Sequence, residues 1–199
     1  MEAQFIKSVY ALKDLPHDRI PEIAVAGKSN VGKSSLLNKL TNQRGLAKTS
    51  QTPGKTRCLN YFLVTPEKRG PFHLVDLPGY GYAKVSQSMR DEWAKLVDAY
   101  LAMPERPSGL IALFDSRREP TDVDKDWIAW LGEWKRPYLV VLTKCDKLSG
   151  NQKAQAIRRW TLDELKVHNP ILSSAQEGTG IDNIWQWVDG VRTGQLKTA

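Results

Sequence analysis

The chain has 199 residues, 41% apolar and 26% charged, and carries a net charge of +7. That length suffices for one well-packed core, and that balance excludes a wholly disordered chain. No apolar run reaches membrane-spanning length, and the opening MEAQFIKSVYALKDLP lacks the unbroken apolar core of a signal peptide, so a cytoplasmic monomer with no membrane partner is expected.

In chain order, Phe5-Ile6-Lys7-Ser8-Val9-Tyr10 reads as an edge strand leading to a turn at Asp14-Leu15-Pro16. Residues 1–22 are expected as an extension packed on a single domain spanning 23–199. Ile23-Ala24-Val25-Ala26 suits a buried strand, and Ser35-Leu36-Leu37-Asn38-Lys39-Leu40 begins a helix. Between them stands Gly27-Lys28-Ser29-Asn30-Val31-Gly32-Lys33-Ser34, a glycine-bearing turn ending in Gly-Lys-Ser. Unpaired N–H groups and the positive end of the helix dipole converge there on one anion. Lys33 would reach the β- and γ-phosphates of a nucleoside triphosphate, and the Ser34 hydroxyl would hold Mg²⁺.

Residues 42–58 form a long polar connection around Thr52-Pro53-Gly54, of a length that is usually functional. Strands follow at 59–64 and 72–76. Their link is too short for a helical crossover, which predicts an antiparallel hairpin at one sheet edge. Met89, Trp93, Leu96, Val97, Tyr100 and Leu101 mark a helix face that Ser88 caps. Residues 110–115 are a buried strand. Val123, Trp127, Trp130, Leu131 and Trp134 then recur at helical spacing behind a Thr121/Asp124 capping box. A strand at 138–142, a helix over 149–166, a short strand at 170–172 and a helix with Ile181, Ile184, Trp185 and Val188 inward complete the chain.

Six strands alternating with helices predict an α/β fold: a doubly wound, mostly parallel sheet with one antiparallel edge strand, plus the extra N-terminal strand. Trp93, Trp127, Trp130, Trp134 and Trp185 share faces with aliphatic residues and are assigned to the core, while Trp160 and Trp187 stay unassigned. Cys58 and Cys145 have no metal-type spacing and read as reduced bystanders. His17, His73 and His168 are spread out and carry no assigned chemistry.

Three further motifs follow the phosphate loop. Asp76-Leu77-Pro78-Gly79 directly follows an apolar strand, so the carboxylate can reach Mg²⁺ through water and the Gly79 N–H can meet a γ-phosphate. Thr143-Lys144-Cys145-Asp146 ends the next-to-last strand. The Asp146 carboxylate can accept from guanine N1–H and its exocyclic amine, a donor pair adenine lacks, while the Lys144 stem lies along the purine. Leu172-Ser173-Ser174-Ala175 follows the final strand and can offer an N–H to guanine O6, with either Ser173-Ser174 or Ser174-Ala175 in register.

Taken with Thr52-Pro53-Gly54-Lys55-Thr56-Arg57 and Asp76-Leu77-Pro78-Gly79-Tyr80-Gly81-Tyr82-Ala83, these motifs resemble the EngB family of bacterial ribosome-biogenesis GTP-binding proteins, within the TrmE-Era-EngA-EngB-Septin-like GTPase superfamily. The resemblance runs from about residue 23 to residue 182. It implies a Ras-like P-loop GTPase fold, Mg²⁺-dependent GTP binding, GTP hydrolysis to GDP and phosphate, and a role in assembling the large (50S) ribosomal subunit with a link to division and septation. It also implies that the Thr56 hydroxyl completes Mg²⁺ coordination beside Ser34, with Thr52 the runner-up. Gly54, Lys55, Arg57 and Cys58 then share the nucleotide-facing switch, and Lys33, Thr56 and Gly79 serve the chemistry. Thr143 stands where many GTPases place Asn.

Tyr80 occupies the place where Ras-like enzymes usually carry the glutamine that positions water, so slow intrinsic hydrolysis is expected. In related GTPases lacking that glutamine, an Asn placed like Asn30 holds K⁺ against the phosphates. The alternative is a local side-chain hydrogen bond that fixes the loop. GTP is expected to order residues 48–58 and 79–88, with GDP as the release state.

Residues 1–60 carry ten Lys/Arg against four Asp/Glu, whereas residues 61–199 carry nineteen against eighteen. This early excess can face nucleotide and solvent, or can contact a polyanion. The acid-free stretch 44–57 favours RNA, and Arg44, Lys48, Lys55, Arg57, Lys84 and Arg90 are the candidate rRNA contacts. Two rival readings are a P-loop ATPase or nucleotide kinase, which Asp146 opposes, and an RNA-binding assembly module whose nucleotide is mainly structural.

Overall fold

β2 (Glu22–Gly27) is buried at all six positions, as a strand must be when both neighbours and both faces are covered. In the computed structural model, which describes residues 1–47, 58–67, 70–79, 87–161, 165 and 167–196 (backbone alone at 87–93), it pairs in parallel with β4 (Phe72–Asp76) and β5 (Gly109–Asp115). β6 (Tyr138–Thr143) and the two-residue β7 (Ile171–Leu172) extend the sheet in parallel beyond β5. On the other side β3 (Leu59–Thr65) runs antiparallel to β4, as the short link between them requires. β3 is not the edge, because β1 (Glu2–Val9) pairs antiparallel with it and brings the sheet to seven strands, ordered β1-β3-β4-β2-β5-β6-β7.

Alternation along the strands divides the core between the two faces. Ile23 and Val25 point toward α1 (Lys33–Leu40) and α5 (Ile181–Arg192), where Leu36, Leu37, Leu40, Ile184 and Val188 pack. Ala24 and Ala26 point toward α2 (Gln87–Leu101), α3 (Asp122–Glu133) and α4 (Gly150–Trp160), where Tyr100, Leu101, Ile128, Leu131 and Trp160 pack. The result is an α/β/α sandwich whose parallel strands end along one rim.

Several local expectations shift. α2 begins at Gln87, so Ser88 lies inside its first turn rather than ahead of it. α4 ends at Trp160, short of residue 166, with Thr161 as C-cap; a Ser149/Gln152 capping box starts it. α3 does carry the Thr121/Asp124 box, but its buried stripe is Asp124, Ile128 and Leu131 at i, i+4, i+7. Val123 and Trp130 are exposed, because the α3 indoles stack on one another beside that stripe instead of filling it. Among the described tryptophans Trp160 is the one fully in the core, 1% exposed against Phe114.

At the rim opposite the strand ends, Glu22 opens β2 as a buried carboxylate. Its Oε2 accepts from the Tyr100 hydroxyl at 2.7 Å and the Tyr61 hydroxyl at 3.2 Å, and Oε1 accepts from Arg106 Nη1 at 3.1 Å. Arg106 also donates to Pro16 O, fastening the segment before β2. Burial raises the Glu22 carboxyl, against the pull of the Tyr100 hydrogen bond and the Arg106 charge. Glu22→Ala would strand two hydroxyls and a guanidinium, and urea unfolding should show a loss of about 3 kcal/mol or more; Tyr100→Phe should cost about 1 kcal/mol. A raised folded-state pKa means that the Glu22 contribution is full below the ordinary carboxylate value of about 4.3 and declines as pH rises through the shifted one. Glu22→Gln should flatten that part of the stability profile above about pH 4, read by the same unfolding experiment at several pH values.

Candidate functional site

Between the end of β2 and the start of α1 the chain turns through Gly27–Ser34 with two backbones in the left-handed region, Asn30 at φ 60° and Gly32 at φ 107°. A Cβ on Gly27 would sit 2.8 Å from Val31 Cγ1 and 3.1 Å from Leu113 O, so only glycine lets the loop close against β5. Gly32 is the N-cap of α1 and offers no side-chain oxygen to the first turn. Among the described residues, the N–H groups of Lys33, Ser34 and Ser35 donate to no backbone carbonyl. Such a ring of free donors at a helix start is built for an anion.

The loop's side chains take separate directions. Val31 is buried and anchors the turn in the core beside α1. Lys28 Nζ turns to α3, donating to Thr121 Oγ1 at 2.6 Å and Asp124 Oδ2 at 2.8 Å, so Lys28 and Ser29 would meet a ligand through backbone. Lys33 Nζ donates to Asp76 Oδ1 across the cradle, and Ser34 is half-buried beside it.

Asp76 closes β4 opposite Val25 and is 5% exposed. Leu77 donates its N–H to Val25 O at 3.0 Å and buries its side chain in the core, while Pro78 and Gly79 follow as buried residues. Ser34 and Asp76 give a hydroxyl and a carboxylate, the hard oxygen donors Mg²⁺ takes alongside phosphate oxygens and water. A buried carboxylate already facing one cationic group, Lys33, is a fit for a second cation at the phosphates. No cluster of three or more His, Cys, Asp or Glu that could hold a metal occurs among the described residues.

Thr143-Lys144-Cys145-Asp146 reaches the same rim at the end of β6. Thr143 Oγ1 lies 2.6 Å from Val31 O and 3.0 Å from Phe114 O, so a hydroxyl does the joining that an Asn amide could do. Lys144, at φ 61°, sends Nζ to Asn30 O at 2.6 Å and to Asp115 Oδ2 at 3.0 Å. Cys145 is buried, donates its N–H to Ser173 O at 3.2 Å, and has its thiol pushed up by burial. Asp146 lines a cleft of ≈ 170 Å³ with Gly32, Ser35, Lys144, Ser173 and Ala175. A hydrogen bond from the Ser174 hydroxyl, then one from Lys147, holds its carboxyl below the usual carboxylate range.

The last motif divides its labour. Ser173 N–H donates to Leu142 O, and Ser174 N–H to Thr179 O. Ser174 Oγ also accepts from Glu177 N–H at 3.1 Å while holding Asp146. Ala175 N–H donates to no backbone carbonyl among the described residues, which favours the Ser174-Ala175 register. Leu172 lies half-buried in β7. Gly180, φ +74°, starts α5 so close beneath that a Cβ would fall 2.3 Å from Leu172 O.

Two groups were missed by reading motifs alone. Asp115 ends β5 and takes a bidentate pair from Arg117 (Nε 2.9 Å, Nη2 2.7 Å) as well as Lys144. Burial tends to raise that carboxyl, but the bonds from Arg117 and Lys144 outweigh it and hold it well below the usual range. A lone acid at a buried strand's carboxyl end, two residues before Arg, was the available signal. The second is the tether of Lys28 by Thr121 and Asp124, residues expected only as the cap of α3. Cys58 is a free, buried thiol, as its spacing implied, and donates to Asn60 Oδ1 at 3.4 Å at the entry to β3. Gly54, Lys55, Thr56 and Arg57, with Thr52, Tyr80, Lys48 and Lys84, lie outside the described residues, as does the Arg90 side chain.

Comparison with known proteins agrees with this geometry. The 50S ribosome-binding GTPase family matches residues 22–144. A probable GTP-binding protein EngB of Chlorobium luteolum is 43% identical over 199 residues, covering 100% of this chain and 94% of that protein. Its counterpart in Syntrophomonas wolfei subsp. wolfei is 47% identical over 185 residues, covering 90% and 91%. A crystal structure of a probable GTP-binding protein engB superposes with a TM-score of 0.67 at 21% identity, over 87% of this chain and 99% of that one. Era in complex with MgGDPNP and a segment of 16S ribosomal RNA gives 0.72 at 21% identity, over 86% and 56%. At such identities these structures speak to the fold.

Asp115→Asn should release Lys144 and weaken guanine-nucleotide affinity about ten-fold, or about 1.4 kcal/mol. In the native chain both lowered carboxylates contribute above their ordinary pKa and lose that contribution only as pH falls through the lowered values. Affinity for a fluorescent guanine nucleotide should therefore show no titration from either carboxylate above about pH 5, so that the native chain and Asp115→Asn give parallel pH profiles there.

Proposed function

Because the chain belongs to the EngB family of GTP-binding proteins, we propose that it is a Mg²⁺-dependent GTPase switch acting in assembly of the large (50S) ribosomal subunit, and through that assembly in normal division and septation. GTP binding and GTPase membership come with the family; the ribosomal role is the further step. One observation carries the nucleotide reading: a base-selecting carboxylate, Asp146, and a phosphate cradle share one rim, bridged by Lys144 and Thr143.

In this reading the guanine enters the cleft between Lys144 and Ala175, where Asp146 accepts from N1–H and the amine. The free donors of residues 33–35 take the phosphates, with Lys33 at the β/γ oxygens. Ser34, Thr56 and Asp76 would hold Mg²⁺, which when bound would supply charge neutralisation at those oxygens. Gly79 N–H meets the γ-phosphate, and Thr56 marks the triphosphate state. With Tyr80 in place of a water-positioning glutamine, intrinsic hydrolysis is slow. Asn30 is exposed on the phosphate loop at φ 60°, from where its amide could meet K⁺.

The switch acts in the cytoplasm, as a monomer, on the assembling subunit. Exposed Arg44, together with Lys48, Lys55, Arg57, Lys84 and Arg90, supplies rRNA contacts whose strength falls steeply with salt. The competing view, an RNA-binding module with structural nucleotide, is disfavoured by the retained Lys33, Ser34 and Asp76.

Co-sedimentation with ribosomal subunits should depend on nucleotide: strong with a GTP analogue, weak with GDP. Equal binding in all states would overturn the switch. Asp146→Asn should abolish the preference for GTP over other purine triphosphates, read by competition binding. Chelation of Mg²⁺ should weaken triphosphate affinity at least roughly ten-fold and halt hydrolysis. Replacing Na⁺ by K⁺ should raise the hydrolysis rate of the native chain and leave Asn30→Ala unmoved.

A further inference from the structure

The phosphate loop is held from outside on more than one side. The Val31 side chain enters the core beside α1, while Thr143 Oγ1 and Lys144 Nζ take Val31 O and Asn30 O from the base side. On the other side the holder is Lys28. Residues 28–31, the end of β5 and the start of α3 line a cleft of ≈ 230 Å³, so packing does not close the gap between loop and helix. Among the described residues, the hydrogen bonds that cross from residues 28–30 to α3 are those of the Lys28 ammonium, to Thr121 Oγ1 at 2.6 Å and Asp124 Oδ2 at 2.8 Å.

The far end of this link is rigid. Asp124 Oδ2 also accepts from the Thr121 N–H at 3.0 Å and the Thr121 hydroxyl at 2.7 Å, and its side chain is 7% exposed. A buried carboxylate needs its cation close by, which fixes the ammonium in turn. The near end is the part that needs fixing. Asn30, two residues beyond Lys28, stands at φ 60°, a conformation that glycine adopts more readily.

Binding and hydrolysis ask different things of this loop. Grip on a diphosphate comes from the free N–H groups at the start of α1 and from Lys33, which the link to α3 does not touch. Hydrolysis further requires the backbone around Asn30 to be held to a fraction of an ångström while charge develops on the phosphates. We propose, resting on the GTPase activity of the family, that Lys28 is a positioning residue for GTP hydrolysis. Its ion pair with Asp124 keeps the Ser29-Asn30 backbone in place and contributes little to nucleotide affinity.

The test follows phosphate release by the full chain with Mg²⁺ and GTP, alongside GDP affinity and the urea midpoint. Hydrolysis by the native chain checks the activity, and the ratio of variant to native rate checks the tether. Lys28→Met should lower kcat about ten-fold, with KM and GDP affinity within about two-fold of native. Lys28→Arg, which keeps the charge and the reach, should recover at least about half of the native rate. Lys28→Met also leaves the Asp124 charge buried without its cation, so the urea midpoint should fall. Adding Asp124→Asn removes that charge and should restore the midpoint but not kcat. Recovery of kcat together with the midpoint in the double variant would overturn the proposal and leave a purely structural ion pair. So would an unchanged kcat in Lys28→Met, or a loss of GDP affinity as large as the loss of kcat.

Discussion

A single ammonium group sets the geometry of the site. Lys144 Nζ binds the carbonyl of Asn30, 114 residues earlier, and the carboxylate of Asp115 at the end of β5. That pair of contacts ties the turn after β6 to the loop after β2 and fixes the spacing between them. Thr143 adds a second bridge to the same loop through Val31 O. Because Asp115 is itself gripped by Arg117, the ammonium is aimed by a fixed charge rather than by its own flexible stem.

This arrangement follows from parallel strand order. β2, β4, β5 and β6 all deliver their carboxyl ends to one rim, and those ends are Gly27, Asp76, Asp115 and Thr143. Each strand end contributes one group: a turn without a side chain, the acid paired with Lys33, the acid that aims Lys144, and the hydroxyl that bridges to Val31 O. The loop after β7 adds Ser174, which orients Asp146 by hydrogen bond. Helix α1, capped by glycine, supplies free backbone donors where the phosphates must go.

Much of this was legible in the sequence. The phosphate loop, the strand-end acid and the base-reading quartet each combine a local residue pattern with an element boundary, and both can be seen in one dimension. The hairpin of β3 and β4 was legible because a seven-residue link cannot cross a sheet. Less visible was anything that depends on which element becomes a neighbour. β1 covers β3 because residues 2–9 find a free edge there, a fact of pairing rather than of pattern. Lys28 and Asp115 looked ordinary because their partners lie on elements remote in sequence. The α3 tryptophans fit the helical period yet do not all point inward, since indoles can satisfy one another by stacking. The choice between the Ser173-Ser174 and Ser174-Ala175 registers could not be weighed until the N–H groups of Ser173 and Ser174 were seen to be in use.

The Glu22 cluster gives the far rim a meaning of its own. Its members come from the strand that leads into the phosphate loop, from the strand that follows residues 48–57, and from the helix that follows Gly79. Glu22 thus joins β2, β3 and α2 through one buried carboxylate. A change there should be felt in all three elements at once, although they are far apart in sequence and none of the residues involved lines the rim at which the parallel strands end.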